Sequence, residues 1–474
     1  MSLIDKRTKI VATIGPSTQD YNLLKKIIIN GVSVIRANFS HGTYEEQKMK
    51  FDNAKRASEE LNVPISIMLD TKGPEIRIGK MENGSSLIES NTILKILTDQ
   101  ESYLNFHGNS QVVTVSYEME KDLKIGDKVL FDDGKLSSIV VEIEPGAVYV
   151  KTVNAHILKS NKRINLPGVE FTLPFLSEKD VNDVLFGIEN NVNYIAASFV
   201  NSADNVNQLR ELLAMNNASH IQIISKIESN VAINKIDEII EASDGIMIAR
   251  GDLGLEIPYQ DVPYYEKLII RKCRLVGKPV IVATQMLDSM ENSPHPTRAE
   301  VTDVYLAVEL GSDSTMLSGE SAQGKFPLES VQVMSTIAER AEKEFHNKLF
   351  YSVQLANIAK INQGKRARIA HKIAHLTMND NYRFTIVLSR TGKLLKKVAM
   401  FRPDTAIIGI LNDEKLIGAF GITSSVFVSK NSIELFSKIK SNPHFSKQAL
   451  VPFGAKPGDK FLIVENEKII KGVY

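Results

Sequence analysis

Most of the chain repeats one pattern. A short run rich in β-branched apolar residues ends in small, polar or charged ones, and a stretch with the spacing of an amphipathic helix follows. The runs are Lys9–Gly15, Ser33–Ser40, Ile65–Thr71, Tyr194–Val200, Ile221–Ser229, Asp244–Gly251, Pro279–Met286 and Asp313–Glu320. Helical stretches between them include Tyr44–Asn62, with a charged face, and Pro327–Phe345, which opens on a proline at the first helical position. Eight strand–helix units predict an α/β fold with a parallel sheet, most simply closed as a (β/α)8 TIM barrel. A doubly wound open sheet is the alternative, but it usually has fewer strands and a glycine-rich first turn, and no G-x-G-x-x-G occurs.

The spacing breaks once. Between Thr71 and Tyr194 the pattern turns to alternating strands with turn signals, such as Gln111–Tyr117, Lys128–Phe131 before Asp133-Gly134, and Ala147–Val153. Residues 72–168 therefore read as an inserted β-barrel domain, leaving 1–71 and 169–345 as the catalytic barrel. The insertion leaves the barrel's C-terminal face, where barrel active sites lie, so a lid is expected. Residues 346–474 read as a separate α/β domain, with strands at Phe384–Ser389, Thr405–Leu411, Ser425–Ser429 and Lys460–Val464.

The length of 474 residues agrees with about three domains. With 43% hydrophobic and 24% charged residues the chain has the balance of a folded globular protein, and no apolar run is long enough to span a bilayer. Lys plus Arg number 57 against 56 for Asp plus Glu. So even a balance gives no global attraction for nucleic acid or anionic membrane, and any anion site must be built locally. The opening Met1–Ile10 has no apolar signal core, and Cys273 is the one cysteine, which excludes an intramolecular disulfide. A reducing, cytoplasmic setting is expected.

Chemistry concentrates at the ends of the predicted strands. The second ends in Arg36-Ala-Asn38-Phe-Ser40-His41, the third in Asp70-Thr71-Lys72-Gly73-Pro74-Glu75-Ile76-Arg77, and the fifth in Lys226-Ile-Glu228. The sixth ends in Arg250-Gly251-Asp252, and the seventh carries Thr284 and Gln285. Any one of these is accounted for by an ion pair capping a strand. Five strands delivering polar groups to one rim are not, because burying them without a ligand is costly. Glu228 and Asp252 suit Mg2+ or Mn2+, with substrate and water completing the octahedron. Arg36, Arg77 and Lys226 supply cations for a phosphate with developing charge. Asn38, Ser40, Asp70 and Thr71 form an oxygen-rich group suited to a larger cation such as K+. The residues thus point to metal-assisted phosphoryl chemistry on a small anion.

Other motifs carry less. Gly319–Lys325 nearly spells a phosphate-binding P-loop, but Phe326 stands where a metal-ligating hydroxyl belongs. His371 and His375 have the spacing of a zinc pair without the accompanying Glu, and Asn38-Phe-Ser40 is a glycosylation acceptor only in a secreted chain. Cys273, between Lys272 and Arg274, reads as a half-buried structural thiol.

Several stretches together resemble the pyruvate kinase family: Thr8–Pro16, Arg36–Gly42, Leu69–Arg77, Ile224–Ser229, Ala249–Gly254, Ala283–Leu287 and Met316–Glu320. The resemblance covers about residue 7 to the barrel's end and is weaker beyond. It implies Mg2+- and K+-dependent phosphoryl transfer from phosphoenolpyruvate to ADP, giving pyruvate and ATP, in a cytoplasmic homotetramer under allosteric control. It also implies roles. Lys226, Thr284 and Arg36 would be catalytic, and Gly251 and Asp252 would join them in holding the substrate. Asn38, His41, Arg77 and Lys162 would meet the nucleotide, Glu228 and Asp252 the Mg2+, and Asn38, Ser40, Asp70 and Thr71 the K+. Arg163 departs from the family's usual Lys-Gly-Val-Asn-Leu-Pro-Gly. Glu75 matches the K+-requiring members, where K+-independent ones have Lys. The loop Ser389–Leu395 replaces the family's hydroxyl-rich effector loop with Arg390, Lys393 and leucines, so an effector other than fructose 1,6-bisphosphate is expected. Two rivals stand against this reading. One is a Mg2+ barrel enzyme that cleaves a C–C bond through an enolate; the other is a silent regulator on the same fold.

Overall fold

The computed structural model describes residues 4–170 and 172–474; Met1–Leu3, the beginning of the opening stretch read above, lie outside them. Eight parallel strands close a barrel: β1 Lys9–Thr13, β2 Val32–Asn38, β3 Ser66–Asp70, β4 Tyr194–Ala197, β5 Gln222–Ile227, β6 Gly245–Ala249, β7 Val280–Ala283 and β8 Ser314–Leu317. Each pairs with its sequence neighbours, and β1 closes onto β8 from Lys9↔Ser314 to Ala12↔Leu317. The strands end one to three residues before the predicted runs do, because the last residues of each run leave the ladder as loops or as the first turn of a helix.

Helices start where local chemistry satisfies their first N–H groups. Thr43 and Glu46 form a reciprocal capping box at Tyr44–Leu61, which ends on Asn62 in the left-handed region (φ 52°). Ser177 with Asp180 and Thr297 with Glu300 do the same for Glu178–Glu189 and Arg298–Glu309. Pro327–Phe345 begins on its proline as the spacing predicts.

The period of two decides what fills the barrel. Val11, Val34, Met68, Ala196, Ile224, Met247, Ile281 and Met316, one from each strand β1 to β8, share a buried cluster inside it. Two residues further along the same faces stand Thr13, Arg36, Asp70, Ser198 and Lys226. The apolar layer is a floor, and the polar layer lies directly on it.

The insertion folds as a seven-stranded sheet and a two-stranded ribbon around its own core. An isolated bridge between Ile78 and Val115 links the sheet's two edges, so it curls nearly shut. The C-terminal sheet runs β11-β10-β9-β12-β13, with β9 Tyr382–Ser389, β10 Ala406–Leu411, β11 Val426–Val428, β12 Lys460–Glu465 and β13 Lys468–Val473. Only the β12–β13 pair is antiparallel. Strand β13, absent from the sequence reading, is an exposed edge of mixed character that lacks an alternating signature. Segment Glu414–Ile422 plugs the underside of the barrel. Ser66 and Ser314 donate to the carbonyls of Gly418 and Ile422 at 2.8 and 2.9 Å, and a Cβ on Gly418 would fall 2.1 Å from Asn193 Nδ2.

Cys273 is fully buried on helix Val262–Val276 rather than half-buried, and burial pushes its thiol far above the usual range. The P-loop look-alike is a single helical turn, Gly319–Ala322; the neighbouring N–H groups of Ser318 and Leu287 donate to Glu320. His371 and His375 meet through their Nε2 atoms at 3.1 Å on an exposed helix face. Among the described residues no helix is long and apolar enough to cross a membrane.

Candidate active site

The polar layer forms one connected cluster at the C-terminal mouth of the barrel. Asp70, 1% exposed, accepts from Arg36 Nε at 2.6 Å through Oδ2 and from Lys226 Nζ at 3.2 Å through Oδ1. Arg36 also donates to Thr13 Oγ1 at 2.7 Å. Lys226 reaches Ser198 Oγ at 2.8 Å and Glu228 Oε1 at 3.0 Å. Burial pushes the Asp70 carboxyl up, but Arg36 and Lys226 outweigh it and hold the group ionised. Burial likewise disfavours the Lys226 ammonium, yet Asp70 and Glu228 raise it well above its normal value. Lys226 is therefore a fixed positive charge, not a proton donor near neutrality.

Beside it lies a carboxylate pair. Glu228, 1% exposed, takes the Phe199 N–H at 2.7 Å, and burial together with the Asp252 charge holds its carboxyl up at about 6. Asp252 is half-buried, and Arg163 and Lys226 outweigh the effect of that burial and keep it below its usual range. Arg163 Nη1 lies 2.5 Å from Asp252 Oδ1, and its guanidinium stands over the Phe199 ring at 4.9 Å. Glu256, close by, is pushed up to about 7 by burial and accepts the Gly168 N–H at 3.2 Å. Among the described residues no three His, Cys, Asp or Glu side chains converge as a metal site of their own. Two hard carboxylates sharing one pocket nevertheless fit a divalent ion whose other ligands come from substrate and water.

Strained backbone holds this rim. Phe199, Thr284 and Gln285 have φ of 54°, 68° and 53°, a region that costs a side-chain-bearing residue about 1–3 kcal/mol. Arg250 holds the second and third: its Nη2 donates to the Thr284 and Gln285 carbonyls at 2.9 and 3.3 Å. Glu266 and Asp303 anchor its Nη1 at 3.1 and 2.6 Å. Thr284 Oγ1 in turn accepts the Gly251 N–H at 2.8 Å. Residues that the sequence places on strands five, six and seven thus meet in space.

Comparison with known proteins gives the family. The model of the pyruvate kinase barrel domain matches residues 5–331. The chain belongs to the pyruvate kinase family. A pyruvate kinase of Mycoplasma pneumoniae is 41% identical over 453 residues, 89% of each chain. One of Bacillus licheniformis is 41% identical over 424 residues, 88% of this chain and 71% of its own. The crystal structure of a pyruvate kinase from Cryptosporidium parvum superposes with a TM-score of 0.91 at 34% identity, covering 99% of this chain and 97% of that one. Membership of the pyruvate kinase family makes the protein a transferase, a kinase.

Other residues named from the sequence stand further out. Asn38 pairs across the ladder with Asp70, and its Oδ1 takes the Ser40 N–H at 3.0 Å. Thr71 accepts the Ser198 hydroxyl on its carbonyl at 2.7 Å. His41 is exposed. Arg77 donates to Glu75 Oε2 at 2.8 and 3.0 Å, and Lys162 pairs with Asp132 at 2.8 Å within the insertion. Neither touches the carboxylate pair. Sequence reasoning missed Thr13, Ser198 and Glu256. Stepping by two from Val11 and from Ala196 places the first two on the inner face, but nothing in their residue type marks them as part of the site.

Proposed function

We propose that the mouth of the barrel transfers the phosphoryl group of phosphoenolpyruvate to ADP, taking up one proton and giving pyruvate and ATP. The observation that carries this reading is the buried Arg36–Asp70–Lys226 bridge beside the Glu228/Asp252 pair, which places fixed positive charge where a phosphoryl group would pass. Lys226 stabilises negative charge on the group in flight, and Arg36 holds the phosphate. The N–H groups of Gly251 and Asp252 bind the substrate carboxylate, so the Gly251 N–H must leave Thr284 Oγ1 as substrate enters. The hydroxyl so released faces the enolate and orders the water that delivers its proton. Asn38, His41, Arg77 and Lys162 meet the nucleotide. For Lys162 this requires the insertion to swing inward about Gly73-Pro74 and Pro167-Gly168, excluding water from the transfer. Mg2+ or Mn2+ belongs on Glu228 and Asp252, where it supplies charge that polarises phosphoryl and carboxylate oxygens.

The same reading divides the chain into a catalytic barrel (1–71 and 169–345), a lid (72–168) and a regulatory domain (346–474), in a cytoplasmic homotetramer. The direct test is pyruvate formation from phosphoenolpyruvate with ADP and Mg2+. No product under any nucleotide or metal condition would leave the silent-regulator reading standing.

K+ belongs with Asn38, Ser40, Asp70 and Thr71, and activity is expected to fall when K+ is replaced by a large organic cation. Glu75→Lys should restore activity in K+-free buffer, because a tethered ammonium supplies the charge a bound K+ otherwise brings. Arg77, which now rests on Glu75, would lose its carboxylate partner and keep the Asn161 carbonyl, so a raised KM for ADP should accompany the gain. Wild-type activity that is independent of K+ would remove the cation from this site.

A further inference from the structure

A second cavity, far from the barrel mouth, lies between the underside of the barrel and the C-terminal sheet and has a volume of about 680 Å³. That is ample for a small metabolite. Its walls carry three carboxylates, and each is already ion-paired: Asp313 with Arg402 at 2.7 Å, Asp244 with Arg210 at 3.2 Å, and Glu467 with Lys365 at 3.2 Å. Arg274, Lys278, Arg366, Lys393, Lys396 and Lys397 also line it, and among the described residues none of the six has a carboxylate within ion-pair reach. The excess positive charge is local, since the whole chain carries a net charge of only +1.

Two further observations mark the cavity as a binding site rather than a solvated seam. Arg274, 9% exposed, lies over the Phe345 ring at 4.6 Å, and its Nε and Nη2 are buried without a hydrogen-bond partner among the described residues. A buried guanidinium left so is costly unless an anion completes it. Second, two helices begin at this cavity against the usual electrostatic rule. Lys365–Asn379 starts on Gly364 and Lys393–Phe401 on Gly392; neither has a capping side chain or an acidic residue in its first turn. Their first turns hold Lys365, Arg366 and Lys393 instead, cations placed at the positive end of a helix dipole. Five helices elsewhere are capped by Asp20, Thr43, Ser177, Ser202 and Thr297; Val262–Val276 and Pro327–Phe345 also lack a capping side chain, but neither has a cation in its first turn. Burial also pulls Lys278 and Lys397 below their normal range, so these two cations are held at a cost that a bound anion would offset.

We propose that this cavity binds a small polyanion bearing linked phosphate groups, tying the barrel to the C-terminal sheet. The site differs from the effector loop expected from the sequence: of Ser389–Leu395 only Lys393 and Leu394 line the cavity, and Arg390 does not. Barrel residues, Arg274 and Lys278, supply its other wall.

Calorimetric titration of the full chain with pyrophosphate, without divalent metal, tests the proposal. One pyrophosphate is expected per chain, bound at least 10-fold more tightly than orthophosphate. Excess phosphoenolpyruvate should not displace it. Lys396→Ala with Lys397→Ala, two helix-surface changes outside the barrel mouth, should weaken binding about 10-fold or more at unchanged melting temperature. Arg366→Ala, on the other helix, should weaken it as well, which guards against a folding defect in the first variant. Displacement by phosphoenolpyruvate would assign the anion to the barrel mouth and overturn the proposal. So would absence of binding, or equal affinity in wild type and both variants. Equal affinity for orthophosphate and pyrophosphate would overturn the requirement for linked phosphates.

Discussion

Lys226→Met is expected to lower kcat by about 10²–10³-fold or more while Mn2+ and phosphoenolpyruvate still bind within a few-fold of wild type. The ammonium sits 3.2 Å from Asp70 and 3.0 Å from Glu228, so its charge is fixed in place before substrate arrives and needs no reorganisation during transfer. Asp70 and Glu228 favour its protonated form, which suits it to stabilising charge rather than to giving up a proton. Methionine keeps the length of the side chain and removes that charge. The variant leaves Asp70 with Arg36 as its remaining cationic partner and Glu228 with less to hold it ionised, so substrate and metal affinity should be compared for both proteins across a pH series. Turnover near that of wild type at saturating substrate would remove Lys226 from the chemistry.

Much of this site was legible in the sequence because a barrel strand converts order along the chain into direction. Val34, Arg36 and Asn38 must share a face, as must Ile224 and Lys226, so the step from apolar to charged marks the level at which the core ends and the site begins. The strand ends were legible for the same reason, and Pro327–Phe345 because its proline and its periodicity agree. What stayed hidden has physical causes. Thr13 and Ser198 carry small neutral hydroxyls that read as ordinary strand residues; only Arg36 and Lys226, brought in from other strands, give them a task. The left-handed backbone at Phe199, Thr284 and Gln285 has no sequence signature, since it is imposed by Arg250 and by loop closure rather than by local preference. The contact of Arg163 with Asp252 spans 89 residues and two separate cores, beyond the reach of any periodicity.

That contact leads to the second large expected effect. Arg163→Gly, which restores the family's usual residue, should tighten Mn2+ binding by about 10-fold or more, read from the free Mn2+ signal in electron paramagnetic resonance. The guanidinium lies 2.5 Å from the Asp252 oxygen that the proposed divalent ion would share, with Phe199 beneath it, so the insertion's strand Arg163–Asn165 would set its own cation against that ion. A charge-assisted hydrogen bond of this kind is worth about 1.5–3 kcal/mol, and each 1.4 kcal/mol is about a factor of ten in affinity. Without Arg163 the two carboxylates face each other with Lys226 as their main counter-charge. The metal-free variant should therefore melt at a lower temperature, and added Mn2+ should raise its melting point further than that of wild type. The paired readouts separate the possibilities. Tighter binding with a larger metal-induced rise means that Arg163 competes with the ion. Unchanged or weaker binding would mean that the guanidinium shares Asp252 with the metal and helps to hold it, in which case the insertion's strand belongs to the metal site instead of opposing it.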